Sequence, residues 1–279
     1  MTSIQWLDRP TLNNPIALIA FQGWGDAGNA STLAIEHLLD SFDSNVFALL
    51  DSDDFFDFQV ARPQIELDDD QHRIIEWPDT VFHRIPLDTR DLVIVTGPEP
   101  HNRWKRFCQD LAEVLASVGV TDVVTLGAFV GQVPHTLPVP LIGVSEEPIT
   151  SSTHGLPQSD YEGPSGILGV LNHYLAPRGF DVLGIWAAVP HYISAQEYPP
   201  AALALLEKTS DIFGIDVDLT DLKEAADEMT EEIDAAIDDP DMRDYVTRLE
   251  THALSEKIGI GPVDPDLLVD EIEKYLRND

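Results

Sequence analysis

Ten residues near the start of the chain join a predicted strand to a predicted helix: Phe21-Gln22-Gly23-Trp24-Gly25-Asp26-Ala27-Gly28-Asn29-Ala30. The preceding run at 16–20 is wholly apolar, which predicts a buried strand. Residues 30–39 carry apolar side chains at helical spacing, which predicts a helix. Such a junction leaves backbone amides free at a helix start, where function is often built.

The glycines of this junction allow two interpretations. Residues 23–28 match the dinucleotide fingerprint G-x-G-x-x-G, and Asp51 follows the next predicted strand, where an acid would hold a ribose hydroxyl. However, Trp24 would obstruct a pyrophosphate, and the carboxylate of Asp26 would repel one. We therefore favour Asp26 as the cap of the helix and the glycines as turn residues, and we expect no cofactor.

The composition indicates a folded, strongly acidic protein. Of 279 residues 43% are hydrophobic, which excludes general disorder. Lys and Arg number 16 against 50 Asp and Glu, a net charge of −34, which disfavours nucleic acid and anionic membranes as partners. The sequence shows neither a leader pattern nor an apolar run of about 18 residues, so we expect a cytoplasmic protein. The single cysteine, Cys108, predicts a packed thiol.

Further apolar runs alternate with helical patterns, which predicts an α/β fold with a mostly parallel sheet. Polar residues follow these predicted strands: Glu99 and His101 after residues 92–96, His135 after 122–127 and His191 after 182–189. Since parallel strands end at one edge of a sheet, we expect these side chains to converge there with Asp26. Glu99 would then act as a base with His101 as its partner, or else accept backbone amides; each histidine could equally stabilise its own turn.

Two further polar stretches have competing interpretations. The long loop 146–163 suggests a binding surface, and a helix is predicted to start at Pro164 with Glu162 or Gly163 as its cap. Ser165 is a conceivable nucleophile with His135 or His191, although the stretch lacks the G-x-S-x-G spacing. The acidic run 51–54 would suit a metal or a solvated turn; we favour the turn and expect no metal.

The chain changes composition near residue 216. From there to residue 279 it carries 21 acidic and 6 basic residues, net −15. Apolar residues spaced three and four apart predict three helices, the second starting at Pro240 and the third at Pro265. We therefore divide the chain into an α/β core at 1–215 and an acidic helical extension at 216–279.

Four blocks of the sequence, taken together, resemble one protein family. They are Gly-Trp-Gly-Asp-Ala-Gly at 23–28, Gly-Pro-Glu-Pro at 97–100, the run Tyr161-Glu162-Gly163-Pro164-Ser165-Gly166, and Pro190-His191-Tyr192. This pattern is similar to the proteasome assembly chaperone 2 family in its actinobacterial branch. The chain departs from the family after Pro134-His135-Thr136, where Leu137 replaces an arginine, so any anion or partner contact of that arginine would be missing.

The resemblance implies a three-layer α/β/α fold like that of nucleoside phosphorylases and related hydrolases, with the acidic helices appended. It also implies a homo-oligomer, with a trimer favoured, that binds other protein subunits during assembly. We therefore expect a non-enzymatic binding protein; the alternative is a phosphorylase- or hydrolase-type enzyme using Glu99, His135 and His191. Candidate contact residues are Gly23, Trp24, Gly25, Asp26, Glu99, His101, His135, Glu162, Ser165 and His191.

Overall fold

A computed structural model describes residues 3–68, 71–193 and 197–255. In these ranges the strands are β1 (Ile4–Trp6), β2 (Ile16–Ile19), β3 (Asn45–Leu50), β4 (Gln64–Leu67), β5 (Arg73–Glu76), β6 (Thr80–Pro86), β7 (Asp91–Thr96), β8 (Asp122–Gly131), β9 (Leu141–Val144) and β10 (Asp181–Pro190). The helices are α1 (Ala30–Ser41), α2 (Trp104–Ser117), α3 (Pro148–Thr153), α4 (Ile167–Leu175), α5 (Pro199–Phe213), α6 (Thr220–Ala236) and α7 (Pro240–Ser255).

Eight strands form one mixed sheet in the order β1-β3-β6-β7-β2-β8-β10-β9. The central strands β7, β2, β8 and β10 are parallel neighbours, and the outer pairings are antiparallel. The α/β fold predicted from the sequence is confirmed. The predicted β-α-β unit differs in one respect, since β2 and β3 run in the same direction but β7 and β6 lie between them.

Helices cover both faces of this sheet and give the predicted three layers. Alternate residues of β2 enter opposite cores, because successive side chains of a strand point to opposite faces. Ile19 packs with α2 and α4 residues such as Phe107 and Leu171. Leu18 packs on the other side with α1 and α5 residues such as Ile35 and Leu205.

Several element boundaries differ from prediction for identifiable reasons. The sequence predicted a strand at 122–127, but β8 continues to Gly131. A β-carbon on Gly127 would lie 2.8 Å from the Trp186 ring, so glycine here lets an aromatic ring lie against the strand. The predicted start of α4 at Pro164 is three residues early; the helix begins at Ile167. The loop 146–163 also contains the short helix α3, which periodicity did not indicate.

Strands β4 and β5 form a separate antiparallel hairpin. All eight of their residues are exposed to solvent. The N-terminal residues contain the edge strand β1, which pairs with β3.

The C-terminal helices α6 and α7 match two of the three predicted from spacing. Leu222 and Ala226 of α6 are buried, and Val246 and Leu249 of α7 are too. Leu222 joins the core that contains α1 and α5. The predicted third helix lies outside the described residues, and the division at residue 216 stays a prediction. Among the described helices, none has the length and apolar character needed to cross a bilayer.

Candidate functional site

The candidate residues follow four neighbouring parallel strands and therefore share one edge of the sheet. Glu99 follows β7, Asp26 follows β2, His135 follows β8 and His191 follows β10. The hydrogen bonds of these residues show what each does at that edge.

Asp26 is the buried capping residue of α1. Its Oδ1 accepts the Ser31 amide at 2.7 Å and the Ser31 hydroxyl at 2.6 Å, and its carboxylate also accepts the amide and hydroxyl of Thr32. The side chain is 5% exposed. Because these N-terminal amides already meet a carboxylate, they do not offer the positive end of the helix to a phosphate.

The glycines around Asp26 allow close backbone packing. Gly28 has a φ of +59°, and its carbonyl accepts the Tyr198 amide at 2.8 Å. A β-carbon on Gly28 would lie 2.7 Å from that of Tyr198. Asn29 is also in the left-handed region, and α1 begins at Ala30, where the apolar spacing predicted a helix. Gly28 thus allows the backbone before α1 to pack closely against the start of α5.

Glu99 bridges the glycine-rich junction and α4. Its Oε1 accepts the Ile167 amide at 2.8 Å, and its Oε2 accepts the Trp24 amide at 3.4 Å. A β-carbon on Gly166 would lie 3.0 Å from both Glu99 Oε1 and the Trp24 ring, a tight contact that glycine avoids. The adjoining cavity, which Gly25 also lines, measures about 10 Å³, room for at most one water.

The remaining candidates, apart from His135 and His191, lie in loops. His101 Nδ1 accepts the Asp57 amide at 3.0 Å, which holds the loop after β3. Ser165 is exposed, and its hydroxyl donates to the carbonyl of Gly166. Glu162 is also exposed. Trp24 is 60% exposed, unusual for so large a ring.

His135 is a buried link between the sheet and α6. Its Nδ1 lies 2.7 Å from the Tyr192 hydroxyl, and its Nε2 lies 3.0 Å from Asp234 Oδ1. The Tyr192 hydroxyl also accepts the His135 amide at 2.8 Å. Since an ionised carboxylate only accepts, Nε2 carries a proton and Tyr192 donates to Nδ1. Burial raises the pKa of Tyr192 to about 12, so the phenol stays protonated in this chain of bonds.

His191 and Thr136 make the matching links to α7. His191 Nε2 lies 3.0 Å from the Tyr245 hydroxyl, and its Nδ1 lies 3.3 Å from the Gly131 carbonyl. Thr136 donates to Glu250. The rings of His191 and Tyr245 meet edge to face at 5.6 Å. Both acidic helices are therefore bound to the carboxyl edge by side chains that follow β8 and β10.

The bonds divide the edge into two clusters. Glu99 and Trp24 belong with α4, whereas the two histidines belong with α6 and α7. Within the described ranges no hydrogen bond joins Glu99 or Ser165 to either histidine. The same ranges contain no group of three His, Cys, Asp or Glu residues able to hold a metal.

Sequence reasoning missed Asp234, Tyr245 and Glu250 as members of this edge. They lie 99, 54 and 114 residues from their partners, on helices whose acidic faces were expected to be solvated. No spacing in the chain identifies one carboxylate of α6 or α7 among so many. Cys108 agrees with the packed thiol that we expected, since burial raises its pKa to about 12.

Comparison with known proteins gives one family. The family model described as PAC2 family matches residues 20–237, so the chain belongs to the PAC2 family. A search against curated proteins returned no match.

Several solved structures are similar to this chain over most of its length. A PAC2 family protein from Streptomyces avermitilis is 40% identical, with a TM-score of 0.79, over 83% of this chain and 99% of its own. A proteasome-assembly chaperone homologue from Mycobacterium tuberculosis is 36% identical, with a TM-score of 0.76 and the same coverage. An archaeal proteasome activator from Pyrococcus furiosus shares the fold at 22% identity and a TM-score of 0.65, over 85% of this chain and 98% of its own.

Proposed function

We propose that this protein is a non-enzymatic binding protein that assists the assembly of proteasome subunits. The observation that carries the proposal is the similarity to a mycobacterial proteasome-assembly chaperone homologue, 36% identical over 83% of this chain. In this proposal the chain works in the cytoplasm as a homo-oligomer, with three subunits favoured, and binds neither nucleic acid nor membranes.

The bonds at the carboxyl edge support binding over catalysis. A general base needs a free atom directed at the proton it removes. Glu99 instead accepts two backbone amides, and His135 lies between a tyrosine and Asp234. These bonds favour a structural role for both residues over the phosphorylase- or hydrolase-type alternative.

Exposed apolar side chains give the proposal a physical means of contact. Trp24 at the edge is 60% exposed, and the hairpin exposes Ile65 at 63% and Ile75 at 54%. Large apolar patches on a soluble protein often mark interaction sites. The net charge of −34 favours partner surfaces that carry basic residues.

The proposal is tested with the proteasome subunits encoded by the same genome. Purified protein is mixed with each purified subunit at micromolar concentration, and complexes are measured by native mass spectrometry. We expect a complex with at least one subunit, weakened by Trp24→Ala and unchanged by Leu7→Ala, an apolar control that is 55% exposed. A folded protein that binds no subunit up to tens of micromolar would refute the proposal.

A further inference from the structure

The β4–β5 hairpin has one apolar face that the rest of the described chain leaves uncovered. Ile65 lies opposite Ile75, and Leu67 lies opposite Arg73, so these four side chains share a face. The three apolar members are 54–63% exposed. Ile74, beside Ile75, points to the opposite face, which carries Gln64, Glu66 and Glu76. A two-stranded hairpin is marginal by itself in water, so a partner that covers this face would stabilise it.

A groove with the complementary character lies between α6 and α7. It measures about 510 Å³, and its apolar lining includes Met229, Ile233 and Met242. Its acidic lining residues are Glu232, Asp238 and Asp239, of which Asp238 pairs with Arg243 at 3.1 Å. The groove therefore suits an apolar insert that carries a positive charge.

The hairpin face fits this description, because it is apolar and carries a positive charge. Its one charged residue is Arg73, which makes no ion pair with a described carboxylate. Two hairpins packed face to face would leave Arg73 of each copy without a carboxylate partner, because this face carries none. The chain's own residues 256–279 fit the groove less well, because they carry seven acidic and three basic residues.

We propose that the hairpin of one copy of this chain seats in the α6–α7 groove of the next copy. Each copy then uses two different surfaces, so the contact is head-to-tail and forms a ring where the rotation between copies closes. Ile65, Leu67 and Ile75 cover Met229 and Met242, and Arg73 lies against Glu232 and Asp239. This inference rests on the self-association included in the proposed function and names the surfaces that produce it.

The first test compares neighbouring residues on opposite faces of the hairpin. The mass of the full chain is measured by analytical ultracentrifugation for wild type, Ile75→Glu and Ile74→Glu. We expect Ile75→Glu to weaken association at least tenfold and Ile74→Glu to leave it within threefold of wild type. On α7, Met242→Glu should act like Ile75→Glu, whereas Thr247→Glu, on the exposed side of the helix, should act like wild type.

The second test distinguishes a head-to-tail contact from a symmetric one. A mixture of Ile75→Glu and Met242→Glu chains retains one intact hairpin and one intact groove, so we expect a 1:1 dimer that neither variant forms alone. If Ile75→Glu and Ile74→Glu weaken the oligomers equally, the proposed contact is wrong, although self-association itself still holds. A wild-type chain that stays monomeric to 100 micromolar would reject self-association itself, whereas loss of subunit binding alone would reject only the assembly role.

Discussion

Glu99 and Ile167 are 68 residues apart in sequence, and the Glu99 carboxylate accepts the Ile167 amide at 2.8 Å as the external cap of α4. The N-cap residue itself, Gly166, has no side chain to accept that proton. Its missing β-carbon leaves the space that the carboxylate occupies. The Glu99 carboxylate thus connects two loops at the carboxyl edge, because it accepts amides from both Trp24 and Ile167.

Replacing Glu99 should therefore cost stability. Glu99→Ala leaves the amides of Ile167 and Trp24 without this acceptor, and we expect a loss of about 1–2 kcal/mol, as for charged hydrogen bonds that are partly exposed. Urea unfolding followed by circular dichroism measures it. Glu113→Ala, an exposed acid on α2, is the control and should change stability by less than about 0.5 kcal/mol. Equal effects of the two variants would contradict the capping role.

Asp26→Asn tests the meaning of the glycine-rich junction. The change places an NH₂ group against the amides and hydroxyls of Ser31 and Thr32, which now donate to the carboxylate. We therefore expect the free energy of unfolding to fall by about 2 kcal/mol. The same urea experiment measures it. If residues 23–28 bound a dinucleotide, millimolar NAD would raise the melting temperature by mass action. We expect no such rise in wild type or in Asp26→Asn, and a rise of several degrees would restore the dinucleotide interpretation.

His83 on β6 predicts a loss of stability in mild acid. Burial lowers the pKa of this histidine below 6.5, and its Nδ1 has no partner in the described ranges. Below pH 6.5 the unfolded chain therefore binds a proton that the folded chain takes up only at lower pH, so stability falls as the pH falls. Because the ring is partly screened by solvent, we expect a small loss of stability between pH 7.5 and 5.5.

The measurement compares His83→Gln with wild type at the two pH values. The variant should lose less stability than wild type on acidification. His173→Gln is the control, since that histidine's side chain is 81% exposed and pairs with Glu146 at the surface. An acid response of His83→Gln that equals the wild-type response would contradict the prediction.

Helices with strong end signals could be predicted closely from the sequence. Pro199 begins α5, and Gly214, at a φ of +66°, follows its last residue. The start of α4 was wrong because its cap comes from Glu99, far away in sequence. The end of β8 was wrong because the ring that requires Gly127 belongs to β10. Local patterns locate an element, whereas distant partners set its limits.

The candidate edge shows the same distinction. Alternating strands and helices were enough to predict that loops carrying Asp26, Glu99, His135 and His191 end on one side of the sheet. The bonds that these residues make could not be predicted. Asp234 is one of 21 acids after residue 215, and nothing in its spacing marks it as the partner of His135.

The most direct measurement is a double-mutant cycle between His135 and Asp234, because it asks whether an edge histidine holds α6 on the sheet. Urea unfolding of His135→Ala, Asp234→Ala and the double variant should give a coupling of about 0.5–1 kcal/mol, modest since Asp234 is 62% exposed. Glu231→Ala, an exposed acid on the same helix, should show no coupling with His135→Ala. Additivity of His135→Ala and Asp234→Ala within about 0.3 kcal/mol would contradict a structural role for this edge.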